Sequence, residues 1–335
     1  MAKRAVFTVT VDGGDVTANL SPYLLDLTVT LNDGDEGDTA SLSLDDSGGQ
    51  IAMPRVGKPI AIALGWSGVG QRVVFTGTVD ETRSAGDRSG GRLLRVSAKG
   101  FDAGGKAKEA QRRHWDDATV RQILADAGAA AGITDVRIDP GLAGIRIAYW
   151  AMSDESFLHM GRRLARRIGG NFRVQGQQAV MARRSARYGH VVTARHGENL
   201  HGWDIAPILS RQIYGKVRAR FYDRVAGKWD QVEVETGLSG KAVLTLSPPA
   251  DSREDAQRQA EAQAEASKRA AGGGSVTVEG DPDAVPDCIC ALAGARPGID
   301  GPYRVTGVTH SLSKGAGFVT TMELGHPDAR QPDNS

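Results

Sequence analysis

Two arginine pairs, Arg162-Arg163 and Arg166-Arg167, sit inside the stretch Ser153-Asp-Glu-Ser-Phe-Leu-His-Met-Gly-Arg-Arg-Leu-Ala-Arg-Arg-Ile-Gly-Gly170. Clustered guanidiniums can grip phosphates or carboxylates. A second cluster, Asn32-Asp-Gly-Asp-Glu-Gly-Asp38, packs Asp33, Asp35, Glu36 and Asp38 into one loop. Calcium is the chemistry to weigh there, but the twelve-residue loop with a closing Glu is missing. Asp and Gly are also what a turn demands, so a solvated turn is the reading. His196-Gly-Glu-Asn-Leu-His201 has two imidazoles without the helical His-Glu-x-x-His spacing of a zinc site. Cys288-Ile-Cys290 offers two thiols on one strand face and no second pair to close a metal site. Gly65-Trp-Ser-Gly-Val-Gly70 lacks the Gly-Lys-Ser/Thr ending of a phosphate loop. No Gly-x-Ser-x-Gly elbow is present, and His310 has no nucleophile partner in sequence. The expectation is a protein without catalytic residues, metal or cofactor.

Composition narrows the arginine question. The chain has 335 residues, with 41 Lys+Arg against 40 Asp+Glu, a formal net charge of +1. A protein built to hold nucleic acid carries a clear basic excess, so the four arginines read as a solvated or partner-facing surface. Gly is 43 residues and aromatics are 5%, which points to a turn-rich β protein. Two cysteines make no disulfide framework, which fits synthesis in a reducing compartment. The N-terminus lacks the apolar core of a signal peptide, and no apolar run reaches membrane-span length.

Hydrophobic periodicity supplies the elements. Leu25, Leu27, Val29 and Leu31 alternate with Thr28 and Thr30, and similar alternation recurs at Ala40–Leu44, Ile60–Leu64, Phe75–Val79 and Leu94–Ala98. Residues 1–105 therefore read as short strands in a small barrel or sandwich. A helix is expected from Asp116 or Asp117 to about Ala131, with Gly132 as its stop. A second is expected after an N-cap at Ser153, with Phe157, Met160, Gly161, Leu164, Ala165 and Ile168 as its apolar stripe. A hairpin over Phe172–Val174 and Gln178–Ala182 follows, completing a small α/β unit over 106–180. Strands return over 181–326, with Arg218 and Arg220 set to face Glu233 and Glu235 across a hairpin. One helix interrupts them after Ser252, where Ala256, Ala260 and Ala264 form a small-residue stripe. The tail 327–335 reads as flexible.

Several stretches together resemble the late control protein D family of contractile phage tails, the baseplate hub proteins. They are Pro54-Arg-Val-Gly57 running into Ile60–Trp66 and Phe75-Thr-Gly77, then Trp115–Leu124, then Ser153–Leu158 with Arg162–Ala165 and Gly169-Gly170. The Ala-rich helix and Tyr303-Arg-Val-Thr-Gly-Val-Thr-His310 complete the set. The resemblance runs from about Val6 to Gly325. It implies an α+β, mainly β fold, with two tail-tube-like β-barrel domains and an inserted small α/β unit. No helix equivalent to the Ala-rich one is visible in the first barrel, which departs from a strict duplication.

The resemblance implies a structural role in the virion baseplate, assembled in the host bacterial cytoplasm. A homotrimer would present sixfold-like symmetry to the tail tube protein and threefold symmetry to a central spike protein, around a DNA channel. The tape measure protein and baseplate wedge proteins would be further partners, with no sequence-specific nucleic acid and no membrane. Arg162, Arg163, Arg166 and Arg167, with Asp33, Asp35, Glu36 and Asp38, would then be partner-facing surface. The rival readings are a tail-associated cell-wall hydrolase, which needs a carboxylate pair or metal in a cleft, and a fused-spike secretion component, which needs a spike domain.

Overall fold

The computed structural model describes residues 3–325, apart from 33–36, 88–90, 101–108, 176, 184–189, 207–213, 239 and 271. Asp33, Asp35, Glu36, the hairpin turn at Gly176 and the tail 327–335 lie outside the described residues.

The first piece contains β1 (Ala5–Val11), β2 (Gly14–Asp15), α1 (Thr17–Leu20), β3 (Leu24–Asn32), β4 (Thr39–Asp45), β5 (Pro59–Trp66), β6 (Gly70–Asp87) and β7 (Gly91–Lys99). The middle contains β8 (Gln111–Thr119), α2 (Val120–Ala130), β9 (Asp135–Ile138), α3 (Pro140–Ala143), β10 (Arg146–Glu155), α4 (Phe157–Ile168), β11 (Gly170–Gln175) and β12 (Gln178–Arg183). The last piece contains β13 (Val191–Arg195), β14 (Leu200–Ala206), β15 (Tyr214–Asp223), β16 (Lys228–Glu235), β17 (Ala242–Thr245), α5 (Arg253–Ala270), β18 (Gly273–Glu279), β19 (Ile289–Ala293), β20 (Gly301–Ser313) and β21 (Gly317–Gly325).

The first and last pieces run together in one 13-stranded sheet. Within it the same six-strand order occurs twice. β3-β4-β7-β6-β5-β1 in the first piece matches β14-β18-β21-β20-β19-β13 in the last. The irregularities match as well. β6 slips against β7 between Val79 and Glu81, and β20 slips against β21 between Val305 and Gly307. β3 slips against β4 between Leu24 and Asp26, and β14 slips against β18 between Leu200 and Gly202. The hairpin after β6 re-enters at Gly91 and the one after β20 at Gly317, both at φ 72, where glycine carries no Cβ penalty. One departure is direction: β1 runs antiparallel to β5, whereas β13 runs parallel to β19.

Long strands make the corners. The first half of β6 pairs with β5 and its second half with β7. β20 likewise pairs first with β19 and then with β21. The two arrangements join where β3 pairs with the second half of β20, from Gly307↔Asn32 to Ser313↔Asp26. Their alternating apolar residues form one shared core, including Leu27, Val29, Leu42, Leu94, Val276, Val308 and Met322. Trp66 closes it from the side, with its indole Nε1 donating to the Gly280 carbonyl at 2.8 Å and its ring 5.6 Å from that of Phe318.

Two smaller cores stand apart. In the middle unit, α2 and α4 pack with the β11-β12-β9 sheet and the β10-β8 ribbon. The expected α4 stripe is buried as read, from Phe157 to Ile168. Both expected helix starts move, however. α2 is capped by Thr119 in a capping box with Gln122, not by Asp116 or Asp117. Those aspartates belong to β8, where Asp117 pairs with Arg146 at 2.6 Å. α4 is capped by Ser156, because Ser153 is still in β10. The β10-β8 ribbon is largely exposed, so its sequence lacks the alternation that marks a half-buried strand.

The third core belongs to the β16-β15-β17 sheet and α5. Ala256, Ala260 and Ala264 are buried against Val217, Ala219 and Phe221, the small residues letting helix and sheet approach closely. Arg218 faces Glu233 as expected, but Glu235 faces Lys216, and Arg220 faces Gln231. This unit sits between β14 and β18, where the first arrangement has only the short connection from Asn32 to Thr39. That is why the first arrangement has no counterpart of α5.

Candidate functional site

One face of the large sheet is core; across its central strands, from β18 through β3 to β7, the opposite face is rich in hydroxyls. Period-two alternation dictates this, because Thr28 and Thr30 must point away from Leu27, Val29 and Leu31. Register then aligns the hydroxyl residues across strands. Thr277 sits beside Thr321, Thr321 beside Thr309, Thr309 beside Thr30, and Thr30 beside Thr39. A second row runs from Ser311 through Thr28 and Ser41 to Ser97. Thr277 and Thr321 share a hydrogen bond of 3.1 Å between their hydroxyls. The charges that interrupt these rows are matched: Lys99 pairs with Asp80 at 2.6 Å, and Arg83 with Glu81 at 3.3 Å. Thr28, Thr30, Thr39, Ser41, Asp80, Ser97 and Lys99 line a shallow hollow on this face. Such a surface offers many weak, neutral partners and little net charge.

The arginine helix has a different use. Arg163 reaches back to β10, pairing with the Glu155 carboxylate and the Ala151 carbonyl, and its guanidinium lies 4.0 Å from the ring centre of Trp150. Arg167 reaches forward to α5, where it pairs with Asp251 and, at 2.8 Å, with the buried carboxylate of Asp255. Its guanidinium lies 5.6 Å from the same Trp150 ring. Burial would raise the Asp255 pKa, but the Arg167 guanidinium, together with hydrogen bonds from the Asp251 backbone and Gln259, outweighs it and holds the carboxyl below its ordinary value. Arg163 and Arg167 thus join elements of the same chain. Arg162 is half-buried and Arg166 is exposed. Asp38 sits close enough to Arg173 and Arg162 to feel both charges, yet burial dominates and raises its pKa.

The remaining candidates are structural. His310 lies under the β3-β20 junction, fully buried, with Nδ1 3.0 Å from the Thr320 hydroxyl, and burial pushes its pKa down to about 4. Cys288 and Cys290 are buried free thiols whose pKa values burial raises to about 11 and about 12, so neither is a ready nucleophile. His196 stacks edge-on against Trp203 at 5.7 Å. Among the described residues, no three His, Cys, Asp or Glu side chains form a metal-holding group.

Sequence reading missed one buried polar group. The Arg304 guanidinium pairs with Asp287, and Asn171 of β11 donates to the same carboxylate at 3.0 Å. This ties the middle unit to the last piece. Nothing at Asn171 or Asp287 signals it locally, because the partners come from distant segments.

The comparisons agree with this architecture. The family model described as "Phage tail baseplate hub (GPD)" matches residues 26–316. The "Probable baseplate hub protein" of Escherichia phage 186 is 26% identical over 95% of this chain and 92% of its own length. That of Escherichia phage P2 is 30% identical over 50% of this chain, a match spanning 43% of the P2 protein. Among solved structures, the 43 kDa tail protein of prophage MuSo2 from Shewanella oneidensis superposes with a TM-score of 0.73 at 16% identity, covering 98% of this chain and 100% of that one. With a family match across most of its length, on a fold shared with a tail protein, the chain belongs to the phage tail baseplate hub family.

Proposed function

We propose that this chain works as a non-catalytic ring subunit. Three copies close around the tail axis. Each contributes two tube-like arrangements, so six similar units face a sixfold tail tube while the other side keeps threefold symmetry for a central spike. The tape measure and baseplate wedge proteins are the further neighbours in this reading. The observation that carries it is the repeated six-strand order joined edge to edge within one chain. A chain holding two like units side by side is the economical way to convert three into six.

The hydroxyl rows are the channel wall in this reading. DNA slides past such a wall because few cations are available to neutralise its phosphates and release counterions. Binding to DNA should therefore be weak, without sequence preference. The arginines of α4 are not the DNA grip in this reading, since Arg163 and Arg167 are occupied by carboxylates.

Negative-stain imaging of the purified protein, alone and beside the spike protein of the same tail, tests the ring. Trimeric rings with a central hole and six-lobed density support it. Monomers in both samples, beside a folded spike, overturn it.

A further inference from the structure

The internal repeat leaves two strand edges whose counterparts are already joined. β14 is the counterpart of β3, since each slips at the same place against its neighbour. The second half of β6 is the counterpart of the second half of β20, by the shared slip and the matching hairpin. β3 and β20 pair within the chain. Among the described residues, β14 pairs only with β18; in β6, Val79 still bonds to Gly57 and Lys58, and from Glu81 onward the strand pairs only with β7. Both edges are thus open on the side that their counterparts use.

We propose that β14 of one copy pairs antiparallel with the second half of β6 of the next, in the register that sets Trp203 opposite Gly86 and Asp204 opposite Ala85. This rests on the ring reading and gives that ring its contact surface. The register follows residue by residue from the junction inside the chain. There Leu27 faces Leu312, Thr28 faces Ser311, Val29 faces His310, and Thr30 faces Thr309. Their counterparts are Trp203 facing Gly86, Asp204 facing Ala85, Ile205 facing Ser84, and Ala206 facing Arg83.

The side chains suit this pairing. Leu27 is fully buried at the inner junction, but its counterpart Trp203 is 39% exposed. A large apolar side chain on an open edge invites association unless a partner covers it. Gly86 has no side chain, so the bulk missing from one strand is supplied by Trp203 on the other. Arg83 and Asp204 fall on the same face one diagonal step apart, where opposite charges attract across a pair of strands. Backbone pairing at an edge supplies the affinity and the side chains the register. The contact is heterologous, joining two different edges, so it propagates around a ring rather than ending at a dimer.

The test uses the full chain carrying Ala85→Cys and Asp204→Cys together, with the buried native cysteines kept. The chain is taken alone and co-expressed with the tube and spike proteins of the same tail. Mild oxidation should yield covalent dimers and trimers, while Ala85→Cys with Gly202→Cys, a two-residue slip, should yield background. Mass photometry of the unmodified chain reports the trimer independently. Gly86→Val should weaken trimer formation by about tenfold, roughly one contact's worth of binding energy. A trimer without the 85–204 bond, or with the slipped bond preferred, overturns this pairing and leaves the ring standing. No trimer in either setting overturns both.

Discussion

Removing the Arg167 guanidinium should unfasten α4 from α5. Arg167 is about one-fifth exposed and Asp255 only 5%, so the pair is largely shielded from water. Truncating one partner of a buried pair costs about 3–5 kcal/mol, because the other charge stays buried without its counter-ion. Asp255 keeps some help here: Gln259 donates to it at 2.7 Å and Arg258 at 3.3 Å. The Arg167→Ala cost should therefore fall below that range, at about 2 kcal/mol. A double-mutant cycle with Asp255→Asn isolates the pair, and the coupling should be about 1–2 kcal/mol. Urea unfolding followed by tryptophan fluorescence is the assay, since Trp150 lies beside Arg167. The pair also carries a pH signature. Asp255 has a lowered pKa in the fold, so its stabilisation is present above the unfolded carboxyl pKa and lost as pH falls through the folded one. In Arg167→Ala that acid-side loss should shrink. A coupling energy within error of zero, with the acid limb unchanged, would mean that the Arg167 contacts are surface decoration and the seam is held elsewhere.

Further outcomes follow from other sites. Gly161→Ala should destabilise although alanine is the better helix former by about 1 kcal/mol, because the added Cβ would meet the buried Phe172 ring at 2.3 Å; a raised melting temperature would contradict it. His310 is neutral in the fold, with its pKa lowered from 6.5 to about 4. Its share of stability is complete above pH 6.5 and lost as pH falls toward 4, about 3 kcal/mol in full; His310→Gln should flatten that part of the stability curve, and an unchanged slope in pH-dependent unfolding would count against it. Cys288 and Cys290 should resist a thiol reagent at pH 8 in the native protein and react at once in denaturant, and fast native labelling would show that their strand face opens.

What the sequence determined by itself is local. Alternation over Leu24–Asn32 decides which side of β3 is core, whatever strand lies beside it. The stripe from Phe157 to Ile168 decides the buried face of α4, and Ala256, Ala260 and Ala264 decide that of α5. The family resemblance rested on such stretches in order. Where local signals are weak the sequence misleads: β8 and β10 form a mostly exposed ribbon, so Asp116, Asp117 and Ser153, which look like helix starts, are strand residues.

Only the tertiary structure decided which distant groups meet. β3 pairs with β20 across nearly the whole chain, and no periodicity in either strand names its partner. The repeat of the six-strand order was hidden for the same reason. What recurs is hydrogen-bond register and the position of each slip, which many side chains satisfy, so Leu27 and Trp203 occupy like places without resembling one another. Arg163 and Arg167 show the limit most plainly. Their spacing fixes the helix face they share, but a guanidinium serves solvent, phosphate or carboxylate equally well, and only the arrival of Glu155 and Asp255 from other elements settled the choice.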